Sequence, residues 1–309
     1  MLVRAIAERD GNGPITVEPT KLSAADYFAE WLASKRPELA ADTYRGYAGI
    51  FEYRLVPLLV SRLRSKEMEP STIRHIMAVL SAALNQAVAW ELLPSNPASN
   101  VRRPKDRSQK MRALSEKEAA RLMAVVRGTR REVLYGVALT LGPRQGELRG
   151  LRWSSLSDGY LTIEHRVSTD YGVVWGPTKT GEERTLRLPR RLVDALRRHR
   201  KAQPEERAAA SVWEDPSLIF PNTREGIWRH QGMFVCFKRD LAAAGPPKEV
   251  RFHDLRHTAA TLMLKKRVPV NVVSKVLGHS DPAMTLRRYA HALPDMQEMA
   301  ADAMEEYAF

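Results

Sequence analysis

The 309-residue chain has one cysteine, Cys236, which excludes an internal disulfide framework and a cysteine-built zinc site and fits a reducing compartment. It has no apolar run long enough to span a bilayer, so no membrane partner is expected. Arg4, Glu8, Arg9 and Asp10 interrupt the only stretch where a signal peptide could sit, and a cytoplasmic location is expected. Internal repeats and low-complexity tracts are missing. Basic residues are missing from one place: residues 294–309 hold Asp295, Glu298, Asp302, Glu305 and Glu306 and no Lys or Arg.

Elsewhere basic residues dominate. The net charge is +13, and without the −5 of that tail about +18 rests on the remainder. A pI near 10.0 points to a polyanionic partner, most often nucleic acid. The apolar fraction of 44% and charged fraction of 28% are those of a soluble globular chain with a sizeable core.

The patterning is mostly helical, with a small antiparallel sheet. Residues 1–20 contain Gly and Pro, lack periodicity and read as a mobile N-terminal arm. Residues 21–100 read as a helical domain. In it SAADYFAEWLAS puts Tyr27, Phe28, Trp31 and Leu32 on one face behind a Ser cap, and PSTIRHIMAVLSAALNQAVAWELL opens with Pro70 and a Ser71-Thr72 cap. Residues 101–112, VRRPKDRSQKMR, form a basic linker. Its Arg102, Arg103, Lys105, Arg107, Lys110 and Arg112 are candidates for tracking a phosphate backbone. A larger α+β domain follows over 113–293, opening at a Ser115–Glu118 capping box. Its β-type segments are YLTIEHRV, GVVWGPT and RTLRLP, with turn signals between them. Residues 294–309 read as a tail helix with one apolar face.

Four stretches of the larger domain carry reactive side chains. LGPRQGELRGLRW contains Arg144 and Glu147, and GPTKTGEERTLRLP contains Lys179 at a turn. FHDLRHTAATLML contains His253, Arg256 and His257, and LGHSDPAMTLRRYAH contains His279 and Tyr289. Two other readings of these stretches are weaker. His253 and His257 have the i, i+4 spacing of a zinc pair, but Asp254 stands where a metalloprotease needs Glu and no third ligand is evident; no metal is expected. GPTKT lacks the Gly directly before Lys that a phosphate-binding loop requires.

In order and local wording, Arg144, Lys179, His253, Arg256, His279 and Tyr289 resemble the signature of the tyrosine recombinases, the phage-integrase type, over residues 113–292. The helical unit before them resembles that family more loosely. It is contracted by about one helix between Pro57 and Arg64, and Pro143 stands where the family more often has an apolar or small residue. The resemblance implies a two-domain clamp on DNA: a helical N-terminal DNA-binding domain and an α+β catalytic domain. It implies a site-specific recombinase that cuts and rejoins attachment sites through a 3′-phosphotyrosyl intermediate and a Holliday junction, integrating a phage or mobile element without a cofactor. The implied partners are double-stranded DNA and a homo-tetramer on synapsed sites, monomeric or dimeric when free. An excisionase or a host DNA-bending factor in a bacterial nucleoid would assist. Two alternatives stand beside it: a DNA-binding protein of the same fold with impaired recombination, and a DNA-relaxing strand transferase of type IB kind.

The residue types suit that chemistry. Attack on a phosphodiester builds charge on the non-bridging oxygens, and two forked guanidiniums, Arg144 and Arg256, can hold them. A phenol is a weak nucleophile at neutral pH and needs a partner for its proton. His253 is the expected base, His279 the expected donor to the phosphate, and Lys179 the expected acid for the leaving oxygen. Glu147 is expected to orient the site, and His257 to play a supporting part.

Overall fold

The computed structural model describes residues 3–5 and 17–19 as backbone, and 23–51, 69–101, 103–105, 111–169, 172–209, 215, 217–222, 226–247, 249–290 and 304–305. The chain divides into two compact units, Met1–Lys110 and Met111–Phe309.

In the first unit the arm read as unstructured contains two short strands, β1 (Val3–Ala5) and β2 (Val17–Pro19), paired antiparallel. Their three-residue length is too short to register as periodicity. Among the described residues the helices that follow are α1 (Ala24–Lys35), α2 (Ala41–Ile50) and α3 (Pro70–Ala89). Ser23 Oγ caps α1 by accepting from the Asp26 amide at 3.1 Å. The predicted face of α1 buries Tyr27, Phe28 and Trp31 against Ile50, Phe51, Ile76 and Val79, with Leu32 partly buried beside them. Tyr27 Oη donates to the Ala83 carbonyl at 2.5 Å, which ties α1 to α3 and satisfies the one polar atom of that ring. The N-cap of α3 is Glu69, with Pro70 inside the first turn, so Ser71 and Thr72 lie within the helix instead of capping it. Proline's fixed φ and missing N–H suit that first position. The contraction read between Pro57 and Arg64 lies outside the described residues.

The second unit opens with α4 (Glu116–Val125), whose capping box is complete: Ser115 Oγ accepts from the Glu118 amide, and Glu118 Oε2 accepts from the Ser115 amide. Next come α5 (Arg130–Leu141), the short α6 (Gln145–Arg149), strands β3 (Leu156–Ser157), β4 (Tyr160–Ile163), β5 (His165–Ser168), β6 (Val174–Pro177) and β7 (Arg184–Arg187), then α7 (Arg190–Ala209). Among the described residues α8 (His230–Ala244), α9 (Asp254–Lys265), α10 (Val270–Leu277) and α11 (Pro282–Tyr289) come next.

The segment YLTIEHRV is not one strand. It divides at Glu164, so that β4 joins a three-stranded sheet of order β3-β4-β7 while β5 pairs with β6 alone. Leu161 and Ile163 are buried, and a continuous alternation would send His165 inward after them; the imidazole is exposed, and the chain breaks its sheet there. The core joins Leu134, Tyr135, Val137, Leu148, Leu161, Ile163, Leu196, Phe237 and Phe252. Trp153 belongs to it, its indole N–H donating to Gln203 Oε1 at 2.7 Å. Of the tail helix read at 294–309, only Met304 and Glu305 are described, and both are exposed.

Candidate active site

Two helix ends create the centre of the site. α5 ends at Gly142 (φ +59) and α10 at Gly278 (φ +67), both left-handed, a conformation glycine adopts without the Cβ penalty. Each of these glycine carbonyls is held by an arginine from elsewhere. Arg256 Nη1 donates to the Gly142 carbonyl at 2.7 Å, and Arg144 Nη2 to the Gly278 carbonyl at 2.9 Å. Cations are favoured at helix C-termini, where carbonyl dipoles converge. In this way α6, whose N-cap is Arg144, and α9, which carries Arg256, are locked to the ends of α10 and α5.

Arg256 is 3% exposed, and its Nη2 is buried with no hydrogen-bond partner among the described residues. Burial, followed by the Arg144 charge, pushes its pKa down to about 9. A buried guanidinium N–H left unspent is costly, and an anion would satisfy it.

Glu147 is wholly buried. Its carboxylate accepts from the Arg144 amide (2.8 Å), from Arg144 Nη1 (2.9 Å) and from Arg184 Nη2 (2.5 Å). Burial alone would raise this carboxyl, but the hydrogen bond and charge of Arg184, then those of Arg144, hold it below the usual range. The orienting role read for Glu147 thus has a concrete form. Arg184 was not singled out from the sequence, although a signal existed. It shares the inward side of β7 with the buried Leu186, and a cation on an inward position calls for a buried acid.

Tyr289 ends α11, whose start is capped by Asp281 and rigidified by Pro282. The ring is 2% exposed among Ala260, Leu264, Val273 and Leu277. Its hydroxyl lies 2.5 Å from His257 Nδ1. The residue on the phenol is therefore His257, not His253; the two share a helical face, but His257 lies buried one turn into α9 while His253 is exposed at its N-cap. The two imidazoles meet edge to face at 5.1 Å. Asp254 between them accepts from the Arg251 amide and guanidinium. Burial raises the Tyr289 pKa, opposed by the Arg256 and Arg288 charges.

His279 follows the Gly278 turn, with Nδ1 2.6 Å from the fully buried Thr285 Oγ1. When Thr285 donates, the imidazole proton rests on Nε2, the nitrogen free to face a substrate. Lys179 is exposed on the β6–β7 turn, which Thr178 pins through the Glu182 carbonyl and Gly181 closes at φ +75. It makes no hydrogen bond or ion pair among the described residues. Of the linker cations, Arg103 and Lys105 are exposed, and Arg112 is paired with Glu118 at 2.8 Å. Arg102, Arg107 and Lys110 lie outside the described residues.

Comparison with known proteins decides the family. The model of the phage integrase family matches residues 112–296, more than half of the chain. The chain belongs to the phage integrase family. It is 26% identical to a "Tyrosine recombinase XerC-like" protein of Caldanaerobacter subterraneus subsp. tengcongensis, over 80% of this chain and 68% of that protein. Its fold is similar to that of the Tn1549 transposon integrase bound to a circular intermediate DNA, with a TM-score of 0.75 and 18% identity over 92% of this chain and 100% of that one. A lambda integrase tetramer bound to a Holliday junction is similar at a TM-score of 0.63, with 17% identity over 87% and 76%. The protein is thus a site-specific recombinase of the tyrosine type. No described helix of this recombinase is long and apolar enough to cross a membrane.

The buried His257 and the partly buried His279 make the recombinase sensitive to acid. Burial first, then the charges of His253, Arg288 and Arg256, push the His257 pKa from 6.5 down to about 4. Burial, then Arg256 and Arg144, push His279 down to about 4 as well. Between those values the unfolded chain binds protons that the folded one does not, so stability falls as pH drops from 6.5 towards 4. For the 2% exposed His257 the loss is on the order of 3 kcal/mol, at about 1.4 kcal/mol per pH unit. Urea midpoints at about pH 7.5 and pH 5 should register about 2 kcal/mol of it, the share lost over about 1.5 pH units below 6.5. His257→Gln should show a visibly smaller drop than the wild type; equal drops would contradict the assignment.

Proposed function

We propose that the recombinase cuts one DNA strand by attack of Tyr289 Oη on a phosphodiester, with Arg144 and Arg256 holding the non-bridging oxygens. The observation that carries this reading is the buried, unspent Nη2 of Arg256, one residue before the histidine that holds the Tyr289 hydroxyl. The Oη–P bond forms as the P–O5′ bond breaks. The phenolic proton passes to imidazole; His257, neutral with a pKa of about 4, is already in contact, and His253 stands exposed beside it. His279 donates to the phosphate through Nε2. Lys179, exposed on its turn, delivers a proton to the leaving 5′-oxygen. The 3′-phosphotyrosyl link keeps the energy of the broken bond, so a 5′-hydroxyl from a partner strand can reverse the attack. The step balances without a metal or a nucleoside triphosphate. One such exchange builds a Holliday junction and a second resolves it.

The N-terminal helical unit and the exposed Arg103 and Lys105 would hold the duplex through its phosphates, a contact that fixes register without reading sequence. The assembly we favour is four protomers on two synapsed attachment sites in the cytoplasm of a bacterial host, serving a phage or other mobile element. An accessory DNA-bending or directionality protein would assist.

The test is a nicked suicide duplex carrying the attachment site, incubated with the protein in EDTA. A covalent adduct should form on a denaturing gel, and proteolysis should map it to the peptide that contains Tyr289. A mobility shift without an adduct would leave only a DNA-binding module. An adduct without exchange between two sites would point to a solitary relaxing enzyme.

A further inference from the structure

Arg184 lies outside the six-residue signature yet touches both halves of the site. It starts β7 on the inward side, with a side chain 8% exposed. Its Nη2 donates to Glu147 Oε2 at 2.5 Å and its Nε to the Val276 carbonyl at 3.0 Å. The guanidinium lies close against Gly278: a Cβ built there would fall 2.8 Å from Nη1 and 3.0 Å from Cζ. Gly278 is therefore constrained twice, by its positive φ and by Arg184.

The contacts close a ring. Glu147 holds Arg144 by both its amide and its guanidinium, Arg144 holds the Gly278 carbonyl, and Arg184 holds both Glu147 and the Val276 carbonyl two residues before Gly278. We infer that Arg184 is a positioning residue for the cleavage reaction: through Glu147 and the Val276–Gly278 turn it sets where Arg144 and His279 stand. This rests on the reading of Arg144 as a phosphate-binding residue.

Geometry explains why arginine stands here. The guanidinium reaches an acid on α6 and a carbonyl on α10 from two separate nitrogens of one rigid plane, whereas an ammonium would have to serve both from a single point. Without Arg184, the buried Glu147 has Arg144 as its one remaining cation among the described residues. The carboxylate then competes more strongly for the guanidinium that should grip the substrate. The turn bearing His279 loses its brace in the same step. Displacement of catalytic groups by an ångström lowers rates by about 100-fold.

The experiment is single-turnover adduct formation on the suicide duplex with wild type, Arg184→Lys and Arg184→Gln, alongside gel-shift affinity for the same site. The expected result is a rate lower by roughly 10- to 100-fold in both variants, with affinity within about twofold. The deficit should narrow as pH is lowered, because Glu147 has lost the partner that does most to hold its carboxyl ionised, and a protonated Glu147 no longer competes for Arg144. The double variant Arg184→Gln, Glu147→Gln carries no buried acid, and it should recover part of the rate lost in Arg184→Gln alone. That pair keeps the test open where the single variants fold poorly. Wild-type rate in Arg184→Lys, a rate loss that only tracks lost affinity, or no recovery in the double variant would overturn the inference. Absence of an adduct with the wild type would instead overturn the underlying cleavage mechanism.

Discussion

Tyr289→Phe should yield no covalent adduct on the suicide duplex while still shifting it in a native gel. The substituted ring fits the same apolar surroundings of Ala260, Leu264, Val273 and Leu277, so the fold around it persists. What is lost is the oxygen proposed as the nucleophile, and on that proposal no rate can remain from this position. A second effect follows from the same atom. His257 Nε2 already lies buried without a partner among the described residues, and the phenol is what satisfies Nδ1. Removing it leaves a buried ring with neither nitrogen paired, a loss of about 1–3 kcal/mol that a thermal melt would show. An adduct that survived the substitution would place the nucleophile elsewhere. Tyr307, which lies outside the described residues, would then be the first position to test.

Arg256→Lys should slow adduct formation by roughly 100- to 1000-fold, the effect of removing one preorganised donor from a developing anion. Charge is conserved in this substitution, so the loss isolates geometry. The native guanidinium spends Nη1 on the Gly142 carbonyl and leaves Nη2 unpaired among the described residues, all at 3% exposure. An ammonium that satisfies Gly142 has no second planar arm. Affinity for the duplex should change little, because one phosphate contact among many contributes a small part of non-specific binding. A rate within a few fold of wild type, measured in a single turnover, would show that Arg256 does not bear on the reacting phosphate.

How much of this was legible beforehand depends on range along the chain. The face of α1, the Ser115–Glu118 box and the helical run after the strands follow from spacings of three and four residues, and all appear in the structure. Arg144 and Glu147 are three apart, so their pairing is local as well. Contacts that join distant segments were not legible. Nothing within RTLRLP says that Arg184 meets an acid 37 positions earlier, and only the inward parity it shares with Leu186 hints at it. His253 and His257 share one helical face, and spacing alone does not say which imidazole turns toward a tyrosine 32 residues on. The division of YLTIEHRV at Glu164 depends on which strands are available to pair, a fact of the assembled sheet.

The two glycine caps carry a consequence for how such a protein can change. Gly142 presents its carbonyl to Arg256 only because α5 completes a fixed number of turns before it. One residue inserted within Arg130–Leu141 would swing that carbonyl by about 100° around the helix axis. The guanidinium would lose its anchor although every side chain of the site was unaltered. Reactivity here is encoded partly as a length, and a length can be corrupted far from any reactive atom.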